Sequence, residues 1–148
     1  MSLKKNIFMI VGIVSAAIVA ASAFAGDETK IVNSSAEQLD WETTDEGVGF
    51  APLMGDRFVE SYMAMVRLPA GLVSPAHVKT SNMFGVVVSG TMTHIAVGEE
   101  LPKEVLLAEG SFYKIPAGLG HISKCVSEVD CITFLYQDGK FDFLPTDP

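Results

Sequence analysis

The sequence has no cluster of basic residues. Its 148 residues include 10 Lys and Arg against 18 Asp and Glu, which gives a formal net charge of −8. A chain of this sign is a poor candidate for binding nucleic acid or anionic membrane surfaces, because both carry negative charge. The chain also lacks internal repeats, and no amphipathic stretch of about 12 residues or more follows its first 25 residues.

The first 25 residues differ from the rest of the chain. Lys4 and Lys5 precede a run without charge, and the small residues of Ala23-Phe24-Ala25 precede a polar, acidic start at Gly26. This layout predicts a cleaved signal peptide over residues 1–25, and therefore an exported protein of the bacterial periplasm or the medium. The alternative is an uncleaved membrane anchor, because the apolar run is nearly long enough to span a bilayer. Without the leader, no membrane association is expected.

Cysteine is scarce, with only Cys125 and Cys131 in the chain. An oxidising compartment permits a disulfide between them, and the five residues that separate them suit a hairpin loop. The alternative is that Cys125 remains a free thiol.

The rest of the chain, residues 26–148, is long enough for one domain. After a polar N-terminal arm over 26–46, with at most one strand and Trp41 as a packing anchor, short apolar runs alternate with turn residues roughly every 8 to 12 positions. β-branched and aromatic residues fill these runs. The fold class predicted is all-β, a sandwich or barrel. The runs span 57–68, 83–90, 91–98, 103–110, 111–118, 131–139 and 140–145.

Two of the three histidines lie in similar settings, each after a Gly or Pro turn and each before an apolar run. The spacing around the first is set by Gly71, His77, Lys79, Met83 and Gly90. The spacing around the second is set by Gly110, Pro116, Gly118, His121 and Cys125.

These two spacings resemble, gap for gap, the two sequence motifs of the cupin superfamily. There the first motif runs Gly, His-x-His, Glu, Gly, and the second runs Gly, Pro-x-Gly, His, Asn. The resemblance covers residues 71–125 and implies a cupin-type jelly-roll β-barrel over 26–148, with two sheets around a central cavity. It also implies a homodimer through edge strands as an expected assembly.

The resemblance implies a divalent metal in the barrel, held by His77 and His121. Lys79 and Met83 stand where the family has its second histidine and its glutamate, and Cys125 replaces the asparagine. A lysine ammonium has no lone pair for a metal. His94 offers a third imidazole, and some members of a ChrR-like cupin group carry a histidine at a similar place. Three imidazoles suit zinc, iron, manganese, nickel or copper.

Other interpretations of the same residues remain open. His94 is equally consistent with an ordinary sheet histidine that makes one hydrogen bond. His77 and His121 are consistent with a relic site in which Lys79 fills the space of the metal or binds an anionic ligand. A blue-copper centre with Cys125 and Met83 does not match the usual order of its ligands along the chain.

One conflict concerns the strands that carry the cysteines. The second motif turns His121 inward, and Cys125 shares its face because side chains two apart point the same way. On the following strand the apparent core set would turn Cys131 outward, so that only a bulge would reconcile the two. That apparent core set is Ile132, Phe134 and Tyr136.

Two functions follow from these features. One is a metal-dependent enzyme of the oxygenase or isomerase type that acts on a small organic substrate, with Lys79 orienting a carboxylate and Tyr62 or Tyr113 donating a proton. The other is a non-catalytic module that binds or senses a small molecule. The fold implied by the resemblance does not choose between them.

Overall fold

The computed structural model describes residues 30–98 and 104–147. The signal peptide predicted for residues 1–25 lies outside the described residues. One 3-10 turn, Ala36–Gln38, precedes ten strands. The strands are β1 (Glu42–Thr43), β2 (Gly49–Met54), β3 (Tyr62–Leu68), β4 (His77–Val78), β5 (Met83–Ser89), β6 (Met92–Ala96), β7 (Phe112–Ile115), β8 (His121–Cys125), β9 (Cys131–Gln137) and β10 (Leu144–Pro145).

The strands form two antiparallel sheets that face each other. The six-stranded sheet has the order β1-β2-β3-β9-β5-β7, and the four-stranded sheet has the order β10-β4-β8-β6. The buried apolar side chains of both sheets form one cluster between them. The prediction of an all-β fold is confirmed, and no helix of the described residues is long and apolar enough to span a membrane.

The central strands of the large sheet show why the chain folds this way. On β3 every second side chain is buried, beginning at Tyr62 and ending at Leu68. This alternation is typical of a strand with one face on a core. On β9 the buried positions run from Cys131 through Thr133 and Leu135 to Gln137. The two strands pair along their full length without a bulge.

The inward face predicted for β9 is therefore wrong by one residue. Ile132, Phe134 and Tyr136 lie on the outer, half-buried face, while Cys131 is fully buried. Apolar content alone misled the prediction, because a fully buried position of this barrel is filled by polar Gln137, whose amide nitrogen donates a hydrogen bond to the carbonyl of Lys140 at 2.6 Å. The correct register removes the conflict over the cysteines.

Cys125 and Cys131 form a disulfide that joins the ends of β8 and β9, with their Cα atoms 5.7 Å apart. Both residues are buried, and Cys125 points inward as the strand parity requires. The disulfide therefore links the two sheets at one end of the barrel.

The predicted runs differ from the structure in two further places. β2 lies outside those runs, and its pairing with β3 shifts register between Pro52 and Met54. Conversely, the run over 103–110 forms no strand in its described part, which contributes only an isolated bridge between Leu107 and Met92.

Candidate functional site

A cavity of about 650 Å³ lies between the two sheets. Its walls are mainly apolar, and a few polar side chains converge on it. Such a cavity is typical of sites for small organic molecules, which are concave, mostly apolar and oriented by few polar groups. The polar side chains on its wall are Thr44, Glu46, Ser74, His77, Lys79, His94, Ser123 and Thr133, together with the hydroxyls of Tyr62 and Tyr113.

His77 and His121 lie side by side on the small sheet. They are Cα partners on β4 and β8, and their ring centroids are 4.2 Å apart. Nδ1 of His77 is 2.9 Å from the carbonyl oxygen of Pro75, and Nδ1 of His121 is 3.1 Å from that of Leu119. Since a carbonyl only accepts, each Nδ1 carries the hydrogen, and each Nε2 keeps a free lone pair. This is the tautomer that a metal-ligating histidine adopts when a backbone carbonyl orients it.

His94 completes what we call the histidine wall (His77, His94 and His121). It lies on β6 opposite Ser123, whose Oγ is 2.9 Å from its Nδ1, and its ring lies 4.3 Å from that of Tyr113. It lines the cavity together with His77, and lines a second cavity of about 210 Å³ together with His121. Nε2 of His94 and Nε2 of His121 are buried without a hydrogen-bond partner among the described residues.

The histidine wall is held in the neutral state. Burial, reinforced by charge repulsion from the neighbouring histidines, lowers the pKa of both His77 and His94 to about 4. Burial also lowers the pKa of His121. Near pH 7 the three imidazoles are therefore neutral, with lone pairs available on Nε2.

Lys79 follows β4 directly and reaches the same cavity as His77. Its side chain is only 6% exposed. Nζ donates to the carbonyl oxygen of Asp142 at 2.5 Å and lies 4.3 Å from the ring centroid of Phe141 and 5.7 Å from that of Phe143. Burial lowers the pKa of Lys79 to about 8, although the nearby Asp142 opposes this shift.

The carboxylate of Asp142 does not pair with Lys79. It accepts hydrogen bonds from the backbone N–H of Thr80 at 3.1 and 3.3 Å and from the Thr80 hydroxyl at 2.5 Å. Neither of the ion pairs Arg57 with Glu42 and Lys124 with Glu104 involves Lys79 or Asp142. Lys79 is thus a buried cation that the described chain supplies with one carbonyl and two aromatic rings.

Tyr62 and Tyr113, predicted as proton donors, both line the cavity. The Tyr62 hydroxyl donates to Oε1 of Gln137 at 3.3 Å, and the Tyr113 hydroxyl shares a hydrogen bond with Oγ1 of Thr133 at 3.1 Å. Burial raises the pKa of Tyr113 to about 12 and raises that of Tyr62 as well. Both phenols therefore stay protonated at neutral pH and can act as hydrogen-bond donors.

The two sulfur positions of the motifs offer little to a metal. Met83 is buried and lines the cavity, where its thioether is at most a weak ligand. Cys125 is bonded to Cys131 and provides no thiolate.

The donor chemistry of the histidine wall fits a divalent transition metal, but the arrangement is incomplete. Within residues 30–98 and 104–147 no group of three or more His, Cys, Asp or Glu side chains is placed to hold a metal ion. The close pair is His77 with His121, while His94 contributes an unpartnered Nε2 in the same region.

The sequence prediction missed the aromatic pair Phe141 and Phe143. Phe143 stacks on His77 with centroids 4.1 Å apart and planes at 16°, and Phe141 lies beside Lys79. The signal was present in the alternating stretch that ends in β10, because residues two apart on an extended segment face the same way.

A family model described as a domain of unknown function, DUF4437, matches residues 45–148. The chain belongs to this family. A search of curated proteins gives no match to the DUF4437 chain.

Solved structures place the DUF4437 domain in the cupin fold. They include the capsular polysaccharide assembling protein CapF from Staphylococcus aureus, with a TM-score of 0.58, 20% identity and coverage of 73% of this chain and 34% of CapF. KdgF from Halomonas sp. has a TM-score of 0.56 at 17% identity, over 70% of this chain and 92% of KdgF. An RmlC-like cupin from Shewanella frigidimarina has a TM-score of 0.56 at 18% identity, over 71% of this chain and 88% of that one.

These similarities confirm the predicted cupin jelly roll. The domain spans only about a third of the length of CapF. At these identities the likeness concerns the fold and not the chemistry of the site.

Proposed function

We propose that this cupin binds a small organic molecule in its barrel, next to a divalent transition metal held by the histidine wall. The observation that carries the proposal is the state of His77 and His121. Their rings lie 4.2 Å apart, and backbone carbonyls fix both Nδ1 atoms, so that both Nε2 lone pairs remain free. Nε2 of His121 and of His94 are buried without a partner among the described residues, and such atoms are rare in folded proteins and call for a ligand, an ion or water.

His77 and His121 would hold the metal, and the free Nε2 of His94 makes it the third candidate ligand. Neutral imidazoles accept zinc, iron, manganese, nickel and copper, so the residues do not select one of them. When bound, such a metal supplies a Lewis acid or, if redox-active, a binding place for O₂.

The other side chains of the cavity have roles that do not depend on which metal is bound. The apolar walls keep water from a bound molecule and strengthen electrostatic interactions inside. The phenols of Tyr62 and Tyr113 stay protonated; the Tyr62 proton goes to Gln137, which leaves its oxygen to accept, and Tyr113 shares its hydrogen bond with Thr133. Ser123 and Thr133 are buried hydroxyls on the cavity wall. This set supports an enzyme of the oxygenase or isomerase type on a small organic substrate.

A second candidate is a metal-free cupin that binds or senses a small molecule without turnover. Two observations favour this metal-free function. The ammonium of Lys79 stands where the family motif has a histidine, and no group of three metal ligands is in place among the described residues. A cation in the same cavity opposes metal binding through Coulomb repulsion.

We further propose that the protein is exported, with cleavage between Ala25 and Gly26. The disulfide between Cys125 and Cys131 supports this proposal, since disulfides persist in oxidising compartments. The intact mass of the protein recovered from the exporting cell tests it, because a mass that retains residues 1–25 would support the anchor instead.

The metal proposal is tested by the metal content of the protein purified from its own compartment. We expect about one transition metal per chain, a loss in His77→Ala and His121→Ala, and a partial loss in His94→Ala. Lys79→His restores the His-x-His pattern and is expected to raise metal affinity. Two outcomes would contradict the metal proposal and favour the metal-free function. One is a metal content that is unchanged in all four variants. The other is a native protein that contains no metal and takes up none of added zinc, nickel or iron.

Oxygen uptake then separates an enzyme from a binding module. The metal-loaded protein is mixed with small diketones and catechols, and His121→Ala treated in the same way is the control. Uptake by the native protein alone supports the enzyme.

A further inference from the structure

Lys79 is a buried ammonium without a direct ion pair among the described residues, since the nearby carboxylate of Asp142 is hydrogen-bonded to Thr80 and acts on it only through space. A buried charge without an opposite charge costs several kcal/mol, which is why lysines are rarely buried unless paired. Here a single backbone carbonyl and the faces of Phe141 and Phe143 surround Nζ. An arrangement of this kind is stable only if something offsets the cost, and the side chain faces a cavity large enough for a ligand.

We propose that the ligand of the cavity is a small, largely apolar carboxylic acid, whose carboxylate binds Nζ of Lys79. The proposal rests on the proposed function only in so far as the cavity takes up a small molecule. It does not depend on the metal.

The charges around Lys79 favour an anion. His77 beside it is neutral, and the carboxylate of Asp142 is held by Thr80. Arg57, on the segment that precedes β3, is paired with Glu42 at 2.8 Å. Of the acidic residues, only Glu46 lines the cavity, and it is exposed at the rim. Among the described residues, the charged side chains on the cavity wall are therefore Lys79 in the interior and the exposed Glu46.

The same surroundings limit the ligand to one acidic group. A carboxylate needs one cation and a few hydrogen bonds, which Lys79 and the hydroxyls of the cavity can supply. A phosphate would bring nearly two charges and three strongly accepting oxygens to a wall with a single cation. The remaining surface is apolar, and Phe141 and Phe143 flank the ammonium, so the rest of the ligand is expected to be aliphatic or aromatic.

The test is calorimetric binding of phenylacetate and octanoate, with phenylacetamide and octanamide as uncharged counterparts of the same shape. At pH 8 we expect the acids to bind roughly 10- to 100-fold more tightly than the amides, as is typical of a hydrogen bond to a charged group. Lys79→Met abolishes this preference. Lys140→Met, which removes an exposed lysine of the same charge, leaves it unchanged.

Equal affinity of acid and amide, or a preference that persists in Lys79→Met, overturns the inference but leaves the cavity function standing. Binding of none of the four compounds overturns both.

Discussion

The six-stranded and the four-stranded sheet face the same cavity with different chemistry. The inner face of the large sheet is apolar at most positions, and its central strands β3, β9 and β5 pair over six to seven residues. The inner face of the small sheet carries the histidine wall, and β4 meets β8 through the single pair His77 and His121. The long strands of the large sheet stabilise the barrel, while the short strands of the small sheet carry the histidine wall.

This division follows from the needs of the two surfaces. Burying apolar side chains stabilises the fold, and long regular strands do so efficiently. Neutral imidazoles with unpartnered nitrogens and an unpaired ammonium do not stabilise it, because buried polar groups without partners cost free energy. The small sheet therefore carries polar groups whose burial costs free energy as long as they have no partner. A bound ligand or metal would supply that partner.

The different roles of the two sheets are tested most directly by truncating one side chain on each sheet. Leu135→Ala on β9 is expected to cost about 2 to 5 kcal/mol in the free energy of unfolding, as is usual for a buried leucine. It should leave the metal content unchanged. His121→Ala on β8 should cost less and remove the metal. Chemical denaturation and metal analysis of both variants measure this, and loss of metal in a folded Leu135→Ala protein would contradict the division.

The second test concerns the disulfide that links the sheets. Cys125→Ser with Cys131→Ser is expected to cost about 2 kcal/mol, toward the lower end of the usual range, because the closed loop is short. The thermal midpoints of the double variant and of the reduced native protein are each compared with that of the oxidised native protein. The same loss on reduction as on substitution indicates that the bond itself is responsible. No loss in either case would show that the small sheet is docked by packing alone.

The third test uses pH. His77 and His94 have pKa values of about 4 in the folded protein against about 6.5 when unfolded, so the unfolded chain takes up protons first on acidification. Stability is therefore full above pH 6.5, falls as the pH drops toward 4, and levels off below that for these two groups.

These pKa values correspond to a loss between pH 6.5 and 4 of the order of 3 kcal/mol for each of the two histidines. It is read as the difference between the native protein and His94→Gln, which cannot titrate at that position and should lose less. If the free energy of unfolding depends on pH in the same way for both proteins, the prediction is wrong.

The smallest effect is expected at Lys79. Lys79→Met in the ligand-free protein removes a buried charge, and replacement of such charges by apolar groups is often neutral or stabilising. We expect a gain of up to about 1 kcal/mol near pH 7, and a smaller gain at pH 10, where the native lysine is already mostly neutral. Denaturation at both pH values tests this. A clear loss of stability would show that the aromatic pair and the carbonyl of Asp142 satisfy the ammonium by themselves.

Much of the fold could be predicted from the sequence. The glycines that punctuate the runs predict turns, and Gly71, Gly90, Gly110 and Gly118 all have positive φ values in the structure. The spacing of the two motifs was sufficient to predict a cupin barrel, and the solved structures confirm it.

The parts that sequence reasoning missed depend on packing across the barrel. The inward face of β9 was misassigned because Gln137 looks like a surface residue, although its amide is buried and hydrogen-bonded. The alternation of Phe141 and Phe143 predicts that they share a face, but their contact with Lys79 spans more than 60 positions of chain and could not be predicted from it. That the Asp142 carboxylate turns to Thr80 and away from Lys79 is likewise visible only in three dimensions.

The pairing of His77 with His121 has a consequence for how such a site can change. Their approach is set by backbone register, since the two residues are Cα partners on adjacent strands, and not by any interaction that their side chains must make. Substitution at either position, or at Lys79 and Met83, leaves the turns and ladders that aim these positions at the cavity. The backbone of the barrel can therefore stay the same while a few side chains change. Such substitutions can produce a metal site, an acid-binding site or a mixture of both.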